Sequence, residues 1–181
     1  MTNAIHIVNA SHISDADVRT ISDAITKIFP HRVIVERVSL DLEQAFDNAR
    51  GQYSSGNLLS QILATAKEDH EKRIVIVDVD LFIPVLTFIF GEAQFEGSVA
   101  IVSTYRLSNE FYGLATDHQK LLLRLEKEII HELGHIFGLY HCHQFECVMR
   151  SSTYVEEIDL KQISLCPVCQ HQVLTKISSA V

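Results

Sequence analysis

Two histidines one helical turn apart, with a glutamate after the first, open the segment His131-Glu132-Leu133-Gly134-His135-Ile136-Phe137-Gly138-Leu139-Tyr140-His141. Residues i and i+4 share a helix face, so His131 and His135 can both reach one tetrahedral metal ion. Gly138 can end that helix in a left-handed conformation that strains other residues, which lets the chain double back. His141 is then placed to supply a third ligand from outside the helix. Three protein ligands leave a fourth position open for water, the mark of a catalytic rather than a structural zinc. Glu132 stands where a general base must take a proton from that water. Two solvated histidines on a polar helix face would explain His131 and His135 separately. They would not explain the glutamate, the glycine and the third histidine with them.

All four cysteines follow this segment. Cys142, Cys147, Cys166 and Cys169 read C-x4-C, an 18-residue spacer, then C-x2-C. Short pairs joined by a longer loop are what a four-thiolate zinc site needs. Disulfides are the competing reading, and they require an oxidising compartment. The opening Met1-Thr2-Asn3-Ala4-Ile5-His6 has neither the basic region nor the long apolar core of a secretory signal. His143 or His171 can substitute for one thiolate on sequence grounds. A structural zinc contributes roughly 10–16 kcal/mol in small peptides, and even a fraction of that exceeds what a loop-rich tail gains by burial. Residues 142–181 are therefore expected to need metal to hold their shape, giving two Zn2+ per chain, one catalytic and one structural.

Together these residues resemble the archaemetzincins (the archaelysin family) of the metzincin metallopeptidases. The family pattern HExxHxxGxxHC-x4-C-x-M, a spacer and CxxC is matched by His131, Glu132, His135, Gly138, His141, Cys142, Cys147, Met149, Cys166 and Cys169. Asp78-Val79-Asp80-Leu81-Phe82 and Phe90-Gly91-Glu92-Ala93 look like family segments as well. The resemblance implies that His131, His135 and His141 bind the catalytic zinc, that Glu132 is the base, and that the four cysteines hold the second zinc. It also implies that Met149 lies in the Met-turn beneath the metal, where composition alone would read a gap-filling core methionine. The one departure is the 16-residue spacer between Met149 and Cys166, about one shorter than the family pattern.

The elements that must position these residues are legible as alternating signals. Thr116 and Gln119 form a capping box before a run in which Leu122, Leu125, Ile129, Leu133 and Ile136 make an apolar stripe. The stripe is expected to pack inward, with His131 and His135 looking out on a face begun by Lys120, Arg124 and Lys127. Upstream, residues 5–8 read as a strand. Ser14 caps a helix carrying Val18, Ile21, Ile25 and Ile28 that stops at Pro30. Residues 32–38 read as a strand, Leu42, Ala45, Phe46 and Ala49 as a short helix, 51–56 as a loop, and Leu58, Leu59, Ile62, Leu63 and Ala66 as a helix. Residues 74–79 suit a strand buried on both faces, and 85–90 and 98–103 read as two more strands. Strands separated by helices favour a mixed sheet. With the resemblance, the expected fold is α+β and metzincin-like: a mixed twisted sheet with helices above a long active-site helix, plus a small zinc-stabilised C-terminal subdomain. Residues 1–181 form a single metallopeptidase domain, with 1–138 the upper subdomain and 139–181 the lower.

A chain of 181 residues suits one domain and can bury about 70% of its unfolded surface. A formal net charge of −8 offers no basic field for phosphates, so nucleic acid is not an expected partner, and a nucleic-acid-binding zinc ribbon is disfavoured. The longest largely apolar run, residues 81–90, contains Pro84 and is far too short to span a membrane. Cytoplasm is the default compartment, and the sequence sets no oligomeric state. Asp78 and Asp80 end an apolar strand and read as a loop cap or turn before they read as cleft carboxylates. Tyr140 and Tyr154 lack a spacing that assigns either to the oxyanion, and His70 and His118 read as surface residues. The expected function is a zinc-dependent peptidase acting on peptide or protein substrates, with an extended substrate pairing along the strand at 98–103 or the one before it. The alternative is a zinc-binding protein whose site is occluded and whose role is binding.

Overall fold

The computed structural model describes residues 4–65 and 71–179. Its centre is a five-stranded sheet in the order β2-β1-β5-β8-β7. Strands β1 (Ala4–Asn9), β2 (Arg32–Arg37), β5 (Lys72–Val77) and β8 (Val99–Ser103) run parallel, and β7 (Gly91–Ala93) closes one edge antiparallel to β8. A smaller sheet joins β3 (Phe46–Asp47), β4 (Gln52–Ser54) and β6 (Leu81–Phe82). The mixed α/β architecture expected from the sequence is present.

Period-2 alternation distributes the central strands between two cores. Ile74 and Ile76 of β5 and Ala100 and Val102 of β8 face one side, with α1 (Asp15–Ile28) and α4 (His118–Ile136). Val75, Val77, Val99 and Ile101 face the other, with Leu58 and Ile62 of α3 (Ser55–Thr65) and Ala45 of α2 (Leu42–Ala45). Both faces being covered explains why these strands read as continuous apolar runs. Ser14 does cap α1, accepting from the Asp17 amide, and α1 ends one residue before Phe29, which stacks on Phe137 at 5.0 Å.

Several local expectations are corrected. Helix α4 is capped by Asp117, which accepts from the Lys120 amide, rather than by Thr116; the nearer carboxylate reaches the free N–H groups. Residues 51–56 are not simply a loop, because 52–54 form β4 and Ser55 begins α3. The short helix stops at Ala45, where Phe46 turns extended to pair with Tyr53. Residues 85–90 make turns and a single bridge, Leu81 to Ile89, instead of a strand. His70 and Ala66 lie outside the described residues.

The polar face of α4 is also not solvated. Arg124 is 3% exposed; its guanidinium donates to Asp159 at 2.7 and 2.8 Å and to the Leu107 carbonyl at 2.7 Å. Lys127 donates to the Ile158 carbonyl at 2.9 Å. Helix α5 (Val155–Asp159) thus lies over the face that the sequence left open, and α6 (Pro167–Ser179) ends the described chain. No helix among the described residues is long and apolar enough to cross a membrane.

Candidate active site

Helix α4 carries His131 and His135 into the protein, and Gly138, at φ +81°, turns the chain so that His141 returns to them. The left-handed backbone is one that a side chain would strain, as the sequence required. The His131 ring Nδ1 lies 2.8 Å from the Val148 carbonyl, and the His135 Nδ1 lies 2.8 Å from the Leu139 carbonyl. A carbonyl only accepts, so each Nδ1 must carry the hydrogen, and each Nε2 is left as a bare lone pair. Those two Nε2 atoms stand 3.1 Å apart. Two acceptors facing each other without a proton require a cation between them, and Zn–N bonds of 2.0–2.1 Å in a tetrahedron put nitrogens about 3.3 Å apart. One ring nitrogen from each of His131, His135 and His141 falls within 4.8 Å of the others. Burial, with the positive charge of Lys161, holds His131 well below its ordinary pKa, so it stays neutral and ready to ligate.

The four cysteines converge as well. Their sulfurs lie within 4.8 Å of one another, and those of Cys142 and Cys166 are 3.8 Å apart. Four 2.3 Å Zn–S bonds in a tetrahedron space sulfurs by about 3.8 Å, whereas a disulfide needs about 2.05 Å. All four are free thiols, which removes the disulfide reading. His143 and His171 are exposed and stand outside this group. Backbone amides of Gln144 and Cys166 donate to the sulfurs of Cys142 and Cys147 at 3.4 Å, polarising them toward thiolate. Burial opposes ionisation of Cys166, but hydrogen bonds from the backbone and thiol of Cys169 and from Cys142 bring it down to about 7.

One loop ties the two metal groups together. Val148 holds the His131 ring, the Met149 carbonyl accepts from the Cys142 amide at 2.9 Å, and Cys147 is itself a thiolate candidate. Met149 is fully buried beneath α4, and an added Cβ at Gly134 would lie 2.3 Å from its sulfur. The turn therefore needs glycine at 134 to approach the helix so closely.

Glu132 lines a cavity of about 490 Å³ with the three histidines, the strand β7, the segment 86–90 and residues 151–153. Burial first, then the charges of Glu128 and Glu92, push its carboxyl well above the usual range, as suits a group that must accept a proton. The sequence did not single out Glu92, Glu128 or Lys161, which share this cavity. Glu128 had a usable signal, one helical turn before Glu132 on the same face; Lys161 had none. Asp78 and Asp80 are structural, as expected of turn residues. Asp78 accepts from the His12 amide at 2.6 Å and Asp80 pairs with Arg106 at 2.5 Å. Tyr140 and Tyr154 are 74% and 65% exposed and do not line the cavity. His118 is a surface residue, 3.1 Å from Asp17.

A buried metal-binding histidine pair, an adjacent carboxylate and a cleft edged by a strand are the equipment of a zinc metallopeptidase. Known proteins agree. The archaemetzincin of Pyrococcus horikoshii is 42% identical over 69% of this chain and 67% of its own length. The crystal structure of archaemetzincin from Methanopyrus kandleri superposes with a TM-score of 0.85 at 30% identity, covering 98% of this chain and 96% of that one. That of a zinc-dependent peptidase from Methanocorpusculum labreanum superposes at 0.83 and 31% identity, covering 93% and 99%. The sequence model of peptidase family M54 matches residues 6–175, and the chain belongs to that family.

Proposed function

We propose that this chain is a zinc-dependent peptidase of the metzincin type with His131, His135 and His141 as ligands of its catalytic zinc and Glu132 as its base. The observation that carries the assignment is the pair of bare Nε2 lone pairs 3.1 Å apart, one helical turn from each other, with Glu132 beside the first. Bound there, zinc supplies Lewis acidity and makes water acidic enough to ionise near neutral pH. Glu132 takes the water's proton at its carboxylate and returns it to the leaving amine. The cleft lies between an upper part, 1–138, and a lower part, 139–181, with Met149 under the metal. A second zinc on Cys142, Cys147, Cys166 and Cys169 fixes the lower part, making two per chain. Free thiols gathered at one point suit a reducing compartment, in keeping with a cytoplasmic enzyme.

An extended substrate would add a strand along β7, the sheet's outer edge beside the cavity. Strand β8, the other candidate, is interior and paired on both sides. Against an occluded site stands the count of ligands. Among the described residues, the histidine group holds three members, and His141 is exposed. Mass-spectrometric profiling of a peptide mixture tests the reading, with zinc-loaded protein run beside Glu132→Ala. Zinc retained but turnover abolished in the variant is the expected result. Substantial residual cleavage would remove Glu132 as the base, and no cleavage by the zinc-loaded wild type would favour the binding protein.

A further inference from the structure

Three buried side-chain atoms around the cavity have no hydrogen-bond partner: Glu128 Oε1, Glu92 Oε2 and Ser152 Oγ. Nothing in the chemistry assigned to Glu132 uses them. Glu128 precedes Glu132 by one turn of α4, so its carboxylate lies about 5.4 Å further along the same face. It is 4% exposed. Lys161 brings Nζ to 3.6 Å from Glu128 Oε1, an ion pair too long to be a hydrogen bond. Together Glu128, Lys161 and Ser152 form a floor whose ammonium and carboxylate cancel in charge, yet which keeps donors and acceptors unspent. The walls above it are apolar, from Ile83, Leu86, Phe88 and Phe90.

Each class of side chain meets this floor differently. A cation would face Lys161, and a carboxylate would face Glu128 with Glu132 and Glu92 close by. An aliphatic chain would seal the buried acceptors away from water without pairing them. A hydroxyl brings a single donor. A carboxamide offers two N–H donors and one carbonyl acceptor, carries no charge, and in glutamine stands on an apolar stem that suits the walls.

We infer that this floor is a specificity pocket for a carboxamide side chain, glutamine ahead of asparagine, on a substrate residue flanking the scissile bond. The amide NH2 donates to Glu128 Oε1 and Ser152 Oγ, and the amide carbonyl accepts from Lys161 Nζ. The inference rests on the peptidase reading for the occupant being a peptide, and its test reads binding rather than turnover.

Zinc-loaded Glu132→Ala protein is titrated calorimetrically with capped pentapeptides that carry Gln, Asn, Leu, Lys or Glu at one position at a time. At one position glutamine is expected to bind about tenfold or more tightly than leucine, lysine or glutamate, since a site built to hydrogen-bond rejects analogues that cannot. The preference should vanish when Lys161→Met and Glu128→Leu are combined, a replacement that leaves no lone buried charge. Ser152→Ala, a milder change, should weaken the glutamine peptide severalfold and leave the leucine peptide unchanged. Failure of every peptide to bind, near-equal affinities, first place for lysine or glutamate, or a glutamine preference that survives the double variant would each overturn the inference. A wild type that binds the glutamine peptide yet cleaves nothing would overturn the peptidase reading alone.

Discussion

Glu132 owes its place to a side chain that its neighbour lacks. Strand β7 passes so close to α4 that a Cβ on Gly91 would lie 2.8 Å from Glu132 Oε1, 2.9 Å from its Cγ and 2.9 Å from the Ile101 carbonyl. The backbone at Gly91 is not left-handed, so the requirement is for space and not for conformation. Gly91→Ala should push the carboxylate aside while leaving the three histidines where they are. A misplacement of about 1 Å in a catalytic group costs up to ~100-fold. Steady-state kinetics on Gly91→Ala should therefore show kcat down by roughly 10–100-fold with KM little changed and bound zinc, by elemental analysis, equal to wild type. Loss of zinc in step with loss of rate would mean that the strand, not the base, had moved. At this scale the sequence was most informative where spacing within one helix decides proximity, as for His131, Glu132 and His135. It was silent on Lys161, brought to Glu128 across 33 residues by the path of α5 and the loop before it.

Helix α4 shows how an element can be read correctly on one face and wrongly on the other. Its stripe of Leu125, Ile129, Leu133 and Ile136 is buried against the sheet, as its period demanded. Its charged face reads as solvated because Arg124, Lys127 and Glu128 are polar. Their partners, Asp159, the Ile158 carbonyl and Lys161, arrive from a later segment that periodicity cannot foresee. Residues 85–90 fail for a related reason. Their apolar content suggests a strand, yet Val85 is 83% exposed and Phe88 lines the cavity under the Arg106 guanidinium, 4.2 Å above its ring. Within α4, Gly134 sits against propensity, since alanine favours a helix interior by about 1 kcal/mol. Tertiary contact decides the other way, because the Met149 sulfur occupies the space of a Cβ and Met149 is fully buried. Gly134→Ala should destabilise the zinc-loaded protein by about 1–3 kcal/mol through overpacking. Truncating the intruding side chain as well, in Gly134→Ala with Met149→Ala, should cost less than the sum of the two single changes in urea denaturation. Strict additivity would place the strain elsewhere.

Across the whole molecule, the tail is not an appendage with its own core. Leu139, Val148, Met149, Val155, Ile158, Cys169 and Val173 belong to one apolar cluster with Ile5, Ile74 and Leu133. The loop through Cys142, Cys147 and Met149 joins the four sulfurs to the His131 ring. Removing zinc from the cysteines should therefore loosen the histidine site too, and Cys169→Ala should lose metal at both. Hydrogen exchange after chelation should show protection falling across 139–179 and the last turn of α4 while β1 and β5 stay protected. Acid should act on the chelated protein in a defined direction. Burial depresses the pKa of His131 in the fold, whereas an unfolded histidine titrates near 6.5. The unfolded chain then binds more protons than the fold, so this contribution is fully present above about pH 6.5 and is lost as pH falls below it, at about 1.4 kcal/mol per pH unit. Urea midpoints of metal-free protein measured between pH 7.5 and 5 should follow that slope, and His131→Phe, which cannot take up a proton, should flatten it. With zinc restored, the metal competes with the proton for the same nitrogen, and the loss should move to lower pH. A zinc-loaded protein whose midpoint falls with acid as early as the chelated one would show that His131 holds no metal.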